Sequence, residues 1–333
     1  MAQIRVDVVI PTYKPDEKFL KLIERLEKQT IKPNKIIIMN TEEKYLSNLL
    51  YGTTFREKYT NTEIRNISSW EFNHGKTRNE GAKRSDAGIL IFMTQDAIPE
   101  NEHLIEELIR PMIDPDVAVT YARQLPTEDC ALIERFGRGF NYPDQDMIKQ
   151  STDLKKLGIK TYFCSNVCAA YKRNVFDELE GFPRFVIFNE DMVFASKVIK
   201  AGKKIYYASK ARILHSHNYS GKQQFKRNFD LGVSQADYPD IFLAVPSEGE
   251  GIKLVKETIK YLKEHKKIFK IPYLLYISGC KFLGYKLGLH YKKLSSKMIL
   301  KCSSSSVYWE RYWDKMKIPQ DVHKGYGKNE EGL

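Results

Sequence analysis

The chain has 333 residues, 42% of them aliphatic or aromatic, enough for a large folded core in one extended domain or in two domains. Its five cysteines form an odd set without a CxxC pair, so Cys164 and Cys168 read as buried thiols of a reducing compartment; a start with only a short apolar run, broken by Asp7, is neither signal peptide nor anchor, and no apolar run reaches the roughly 18–20 residues that span a bilayer. Of the net charge of +12, nearly all falls between Lys253 and Lys301, where thirteen lysines face only Glu257 and Glu264.

In chain order, "VDVVI" (Val6–Ile10) predicts a buried strand ending at Pro11. Phe19, Leu20, Ile23 and Leu26 recur at helical spacing from Glu17 to Lys28, after the start signal Pro15-Asp16. "KIIIM" (Lys35–Met39) is a second strand, followed by a charged, irregular stretch to about Thr62. "TRNEGAKRS" suits a helix, "ILIFM" (Ile89–Met93) a strand, about Asn101 to Arg110 a helix, and "VAVTY" a strand. Such alternation predicts an open, largely parallel α/β sheet with helices on both faces. Beyond Pro126 come the apolar run "FCSNVCAAY", a helix in "FNEDMVFASKVIKAG" closed by Gly202, and two short strands, "KIYYA" and "ARILHSH". No internal repeat is visible. Pro, Ser and Gly gather at Ala244–Gly251, which sets an expected division into a catalytic domain, 1–245, and a lysine-rich helical region, 246–333.

The loop "FNHGKTRNEGA" contains Gly75-Lys76-Thr77, the ending of a phosphate-cradling P-loop. Trp70 occupies the position where that loop needs its first glycine, which excludes it. Ligands of open α/β sheets sit beyond the carboxyl ends of the strands, where "PTYK", "NTEE" and "TQDAIP" fall. Asp96 there either caps the helix that follows or helps hold a divalent cation, since carboxylates suit Mg²⁺ and Mn²⁺. Glu190-Asp191 either favour a helix macrodipole or form a pair in which one carboxylate tunes its neighbour as a proton acceptor. Strand alternation puts His215 and His217 on one face, as structural histidines or as ligands of a metal or diphosphate.

Taken in series, "VVIPTYK", "FNHGKTRNEGA", "IFMTQDAIP", "GFPRFVIFNEDMVFASKVIKAG" and "ILHSHNYS" resemble the family 2 glycosyltransferases over roughly residues 5–220. The loop and the His-Ser-His element look most like the rhamnosyltransferase branch. The resemblance implies a GT-A fold, a mixed and mostly parallel Rossmann-like sheet flanked by helices. It also implies single displacement with inversion, from dTDP-β-L-rhamnose to a lipid-pyrophosphate-linked saccharide of a bacterial surface polysaccharide. A UDP-hexose donor is the alternative. Carried over residue by residue, it places Pro11, Thr12, Tyr13 and Asn40 near the nucleobase. His74 and Arg78 would border the nucleotide and diphosphate, Arg78 offering a phosphate its planar fork, with Asn79 starting the helix behind. Gln95 would meet the donor sugar or phosphate. Asp96, His215 and His217 would hold Mg²⁺ or Mn²⁺, although Thr94 replaces the first acid of the family's Asp-x-Asp motif. Asp191 would be the general base beside Glu190.

Along the lysine-rich region, Ile252, Val255, Ile259 and Leu262 line one helix face, with lysines mainly off it, and "IPYLLYISG" and "KFLGYKLGL" follow. This end reads either as a packed subdomain with a solvated basic face or as a peripheral contact with an anionic membrane surface, at the inner face of the cell membrane. A nucleic-acid-binding protein is disfavoured because the basic stretch uses lysine alone and no known module is present. A sugar nucleotidyltransferase would need a glycine-rich loop near the first strand, and "PTYKPDEK" has none.

Overall fold

Asp7 lies fully buried at the start of the first strand, a position that demands partners for its carboxylate. Asn34 Nδ2 (3.2 Å), the Lys35 N–H (2.9 Å) and Ser85 Oγ (2.6 Å) supply them, which pins the strand to two flanking turns. The computed structural model describes residues 5–244 and 248–317. In it β1 (Val6–Tyr13) continues past the expected stop at Pro11. Proline's missing N–H is tolerated because β1 pairs with β4 (Ile89–Met93) only as far as Val9, while Pro11 still registers with Met39 of β2 (Lys35–Thr41). The seam between β1 and β4 is therefore open at its carboxyl end.

The other strands are β3 (Thr62–Ile67), β5 (Ile98–Pro99), β6 (Val117–Leu125), β7 (Met147–Lys149), β8 (Cys168–Lys172) and β9 (Lys204–Leu214). They form one mixed sheet in the order β3-β2-β1-β4-β8-β6-β9-β5, with β7 also on β9. Six of the nine strands run one way, and β5, β7 and β8 run against them. The helix-flanked, mostly parallel sheet is thus the expected one, and its two ligand-facing loops leave β1 and β4 side by side.

Two local expectations are corrected. The stretch after β2 is not irregular but carries the helix Glu43–Leu50. "KIYYA" and "ARIL" form one strand, β9, not two, and it ends at Leu214, so His215 and His217 follow the strand instead of alternating along it. Its register against β6 jumps from Ala122↔Ala208 to Arg123↔Arg212, so Ser209, Lys210 and Ala211 form a bulge. Asp146 stabilises that bend by accepting from the Ser209 N–H and Oγ (both 2.7 Å) and from the Tyr206 hydroxyl (2.7 Å). The bend aims the end of β9, and hence His215, at the end of β4.

Alternation along β1 sends Val8 and Ile10 into one core and Val9 into the other. On the first face the helix Glu17–Glu27, capped by Asp16 at the Lys18 N–H (3.0 Å), buries Phe19, Leu22, Ile23 and Leu26 completely. Each such side chain contributes roughly 1.5–3 kcal/mol. On the second face Phe92, Tyr171, Phe176, Phe182 and Phe194 form an aromatic cluster with ring centroids 5.0–5.9 Å apart. A third core joins Ile187 to Phe229, Tyr291 and Trp309. Through it the C-terminal helices pack on the helix Gly221–Asp237, and Arg311 reaches the Phe72 carbonyl (2.6 Å). The expected division at 245/246 lies outside the described residues.

Candidate active site

The helix His74–Ala82 begins earlier than "TRNEGAKRS" suggested, and Asn73, not Asn79, starts it by accepting from the Gly75 N–H (3.2 Å). Asn73 also grips both main-chain groups of Val186, at 3.0 and 3.3 Å. Asn79 sits inside the helix and does the same to Phe182, at 2.8 and 3.0 Å. Gly75 is dictated by contact: a Cβ there would stand 1.9 Å from the Pro183 carbonyl oxygen. The glycine and the two asparagines therefore clamp this helix to the 182–186 segment that leads into Glu190-Asp191, and none of them cradles phosphate. Gly75→Ala is expected to lower the thermal unfolding midpoint by at least a few degrees in a melting experiment, because the opposing atom is backbone and cannot step aside.

Asn189, at the left-handed φ of 63°, turns the chain into the helix Glu190–Lys200. Glu190 is buried and accepts from Arg78 Nη1 (3.2 Å) and Asn166 Nδ2 (3.1 Å). Burial pushes its pKa up, but the Arg78 guanidinium, helped by the Asn166 amide, holds it below the usual carboxylate value. Asp191 is half-buried, and each of its oxygens accepts a backbone N–H, from Asn166 (3.0 Å) and Met192 (2.8 Å). Burial and the neighbouring Glu190 charge nevertheless raise its pKa to about 7. The two acids are thus driven apart, one kept ionised and one poised to take or release a proton near neutrality.

Arg78 departs from expectation. It is buried, its Nη1 also donates to the His74 carbonyl (3.0 Å), and its fork is turned toward Glu190 instead of outward to a phosphate. His74 lies beside it, held neutral by burial despite the Glu190 charge. An exposed guanidinium is offered instead by Arg227, stacked 5.0 Å from the Tyr219 ring and 5.2 Å from that of Phe188. Tyr219 in turn stacks on His217 (4.8 Å).

The second cluster gathers Asp96, His215 and His217. Asp96 Oδ2 lies 3.3 Å from His217 Nε2 and 3.7 Å from His215 Nε2, and the two Nε2 atoms are 3.1 Å apart. The His215 tautomer follows from its surroundings. Its Nδ1 faces Gln124 Oε1 (3.0 Å), an oxygen already identified by the Arg138 donor it also accepts from, while Gln124 Nε2 donates to the Tyr142 hydroxyl (2.6 Å) and Ser165 Oγ (3.0 Å). Nδ1 must therefore donate, leaving the Nε2 lone pair aimed at Asp96. Burial, above all, lowers the His215 pKa to about 3, so the ring stays neutral. One ligand atom from each residue lies within 4.8 Å of the others. The donor set fits a divalent cation, and its two imidazole nitrogens suit Mn²⁺ better than Mg²⁺.

The turn 165–167 links the clusters. Ser165 meets Gln124, Asn166 meets both acids, and the Val167 carbonyl accepts from the Thr94 N–H (3.1 Å). Asn166, fixed by a 2.7 Å bond from the Tyr171 hydroxyl, and Gln124 escaped the sequence analysis; the "SN" within "FCSNVCAAY" was the one available sign of the former. At the β1 end, Tyr13 is 49% exposed, edge-on to Tyr45 (5.5 Å), with Lys14 over both rings. Thr12 and Asn40 lie behind it. Asn40 is fully buried, facing Thr12 Oγ1 (3.0 Å) and Asn66 Oδ1 (2.8 Å), so it braces the strand ends and presents nothing to a nucleobase. Both ends of the Gln95 amide are taken by the Tyr13 backbone (2.8 and 3.1 Å), which makes Gln95 a clamp across the β1–β4 seam and not a free donor contact.

Residues 7–180 match the model of glycosyl transferase family 2, a segment that includes Asp96 and stops short of Glu190-Asp191 and the histidines. The chain is 39% identical over 313 residues to O-antigen chain rhamnosyltransferase RfbN of Salmonella typhimurium, covering 93% of this chain and 96% of the relative. It is also 39% identical over 310 residues to O-antigen chain rhamnosyltransferase WbaN of Salmonella anatum, covering 92% and 95%. Among solved structures, the mannosyltransferase PcManGT of Pyrobaculum calidifontis, in complex with GDP-Man and Mn²⁺, shares the fold at a TM-score of 0.52 and 14% identity, over 94% of this chain and 83% of that one.

Proposed function

The chain belongs to glycosyltransferase family 2, and on that premise we propose that it is an inverting rhamnosyltransferase of O-antigen synthesis, using dTDP-β-L-rhamnose and a lipid-pyrophosphate-linked saccharide at the inner face of the cell membrane. The observation that carries the reading is the split acid pair, with Asp191 at about 7 beside an ionised Glu190, joined by one turn to the Asp96–histidine cluster. Rhamnose and an O-antigen chain as product are supported by the two relatives, both O-antigen chain rhamnosyltransferases, whose identity to this chain extends over nearly its whole length.

Asp191 accepts the proton of the acceptor hydroxyl as that oxygen attacks the anomeric carbon, and the nucleoside diphosphate departs from the opposite face. Glu190 does not take the proton; its ion pair with Arg78 keeps a negative charge next to Asp191, which holds the base at a useful pKa. Tyr13 and Tyr45 form a stacking platform for the base. Asp96, His215 and His217 would hold Mn²⁺ or Mg²⁺, which when bound would supply positive charge to the leaving diphosphate. Arg227 takes over the phosphate-facing role first assigned to Arg78.

A panel of nucleotide-sugars tests the donor. dTDP-rhamnose is expected to raise the melting temperature most and to be the one hydrolysed or transferred. A larger shift and turnover with a UDP-hexose would replace rhamnose by the alternative donor class within the same family.

A further inference from the structure

The helix Ile271–Leu289 is apolar except for Ser278, Lys281 and Lys286, yet only one side of it is covered. The covered side is built from glycines. A Cβ at Gly284 would stand 2.2 Å from the Phe225 carbonyl oxygen, one at Gly288 2.1 Å from that of Phe229, and one at Gly232 on the facing helix 2.4 Å from that of Tyr285. The two backbones touch, as small residues spaced four apart permit, and the bulky side chains are left on the far side. Leu275, Tyr276, Phe282, Leu283 and Leu287 form an exposed stripe there at helical spacing, continued by Phe269, 68% exposed, in the preceding turn.

Lysines frame the stripe at both ends, Lys266, Lys267 and Lys270 before it and Lys292 and Lys293 after, while Lys286 sits within it over the Phe282 ring (5.7 Å). That charge selects the occupant. A second copy of the chain would bring lysine clusters against lysine clusters, whereas a surface of anionic headgroups complements them. Among the described residues no helix is long and apolar enough to cross a membrane. We propose that this helix lies in the plane of a bilayer containing anionic lipid, its aromatic and aliphatic stripe sunk to the headgroup boundary and its flanking lysines on the phosphates. Within the lysine-rich end that the sequence singled out, the basic helix Glu248–Glu264 lacks such a face: its Leu262 is buried and Ile252 is its one large exposed hydrophobic among the described side chains. The anchor also touches the site's framework, because Tyr276 packs on Gly221, four residues after His217, where a Cβ would come within 2.4 Å of the Tyr276 hydroxyl. This deepens the proposed function by bringing the catalytic domain to the surface that carries a lipid-linked acceptor.

The full chain should co-float with vesicles of phosphatidylcholine and phosphatidylglycerol, weakly or not at all with phosphatidylcholine alone, and less as salt is raised. Replacing Phe269, Phe282 and Leu283 together by serine should weaken binding by at least about tenfold at an unchanged melting temperature. No sugar substrate enters the assay, so its outcome is separate from that of the donor panel. Indifference of the wild-type chain to anionic vesicles, or undiminished binding by the triple variant, would overturn the proposal. So would a wild-type dimer that the triple variant converts to monomer, since the face would then pair two copies.

Discussion

Asp191→Asn is expected to lower kcat for transfer by about 10²–10⁴-fold, the usual worth of a positioned general base, while donor binding is retained. Asparagine keeps the shape but has no lone pair strong enough to take a hydroxyl proton. It keeps one oxygen for one of the two backbone N–H groups of Asn166 and Met192, and the other N–H is left facing an amide NH₂. That mismatch costs on the order of 1–3 kcal/mol, partly offset by removal of a charge from beside Glu190. The decisive measurements are therefore donor affinity by calorimetry and single-turnover transfer, both read below the melting temperature. In the wild-type enzyme the base must be unprotonated. With its pKa raised to about 7, kcat/KM should fall about tenfold per pH unit below neutrality and level off above it. A variant as active as wild type, or a flat profile from pH 5 to 8, would remove Asp191 from this role.

The second large effect is expected at Asp96. Its Oδ2 faces both imidazole Nε2 atoms and its side chain is 25% exposed, so Asp96→Asn should leave the fold intact while removing the one anionic ligand of the cluster. Manganese affinity should drop by more than the roughly 10–100-fold typical of losing an outer-shell partner, and transfer by about 10²–10³-fold, as when a positioned charge-stabilising group is deleted. Mn²⁺ binding can be followed by calorimetry or electron paramagnetic resonance without any donor, which separates the site from the chemistry. Transfer by the wild-type chain that survives exhaustive chelation, or unaltered Mn²⁺ affinity in the variant, would contradict the assignment.

The features legible in advance were those that depend on neighbours along the chain. Buried strands announced themselves as "VDVVI", "KIIIM" and "ILIFM", and Asp16 as a cap; His215 and His217 do meet, at 3.1 Å, but beyond the end of β9 and not by alternation along it. Adjacent acids at a helix start could be read as a tuned pair, but not which of them carries the raised pKa. That depends on Arg78, 112 positions away, reaching Glu190 and not Asp191. The same contact turns the arginine fork inward.

Spacing along the backbone assigns residues to a strand, a cap or a shared face because those relations are set by 3.6- and 2-residue geometry, and for this chain that was enough to anticipate an α/β sheet with acids and histidines at its carboxyl edge. Which polar groups are already partnered is a different matter. Asn40, Gln95 and Arg78 have the right chemistry to touch a ligand, yet the fold supplies each with a protein partner, while Asn166, Gln124 and Arg227 acquire importance only from what the fold places beside them. Burial and long-range contact decide proton affinity and availability, and neither is a property of a residue's immediate neighbours in the chain.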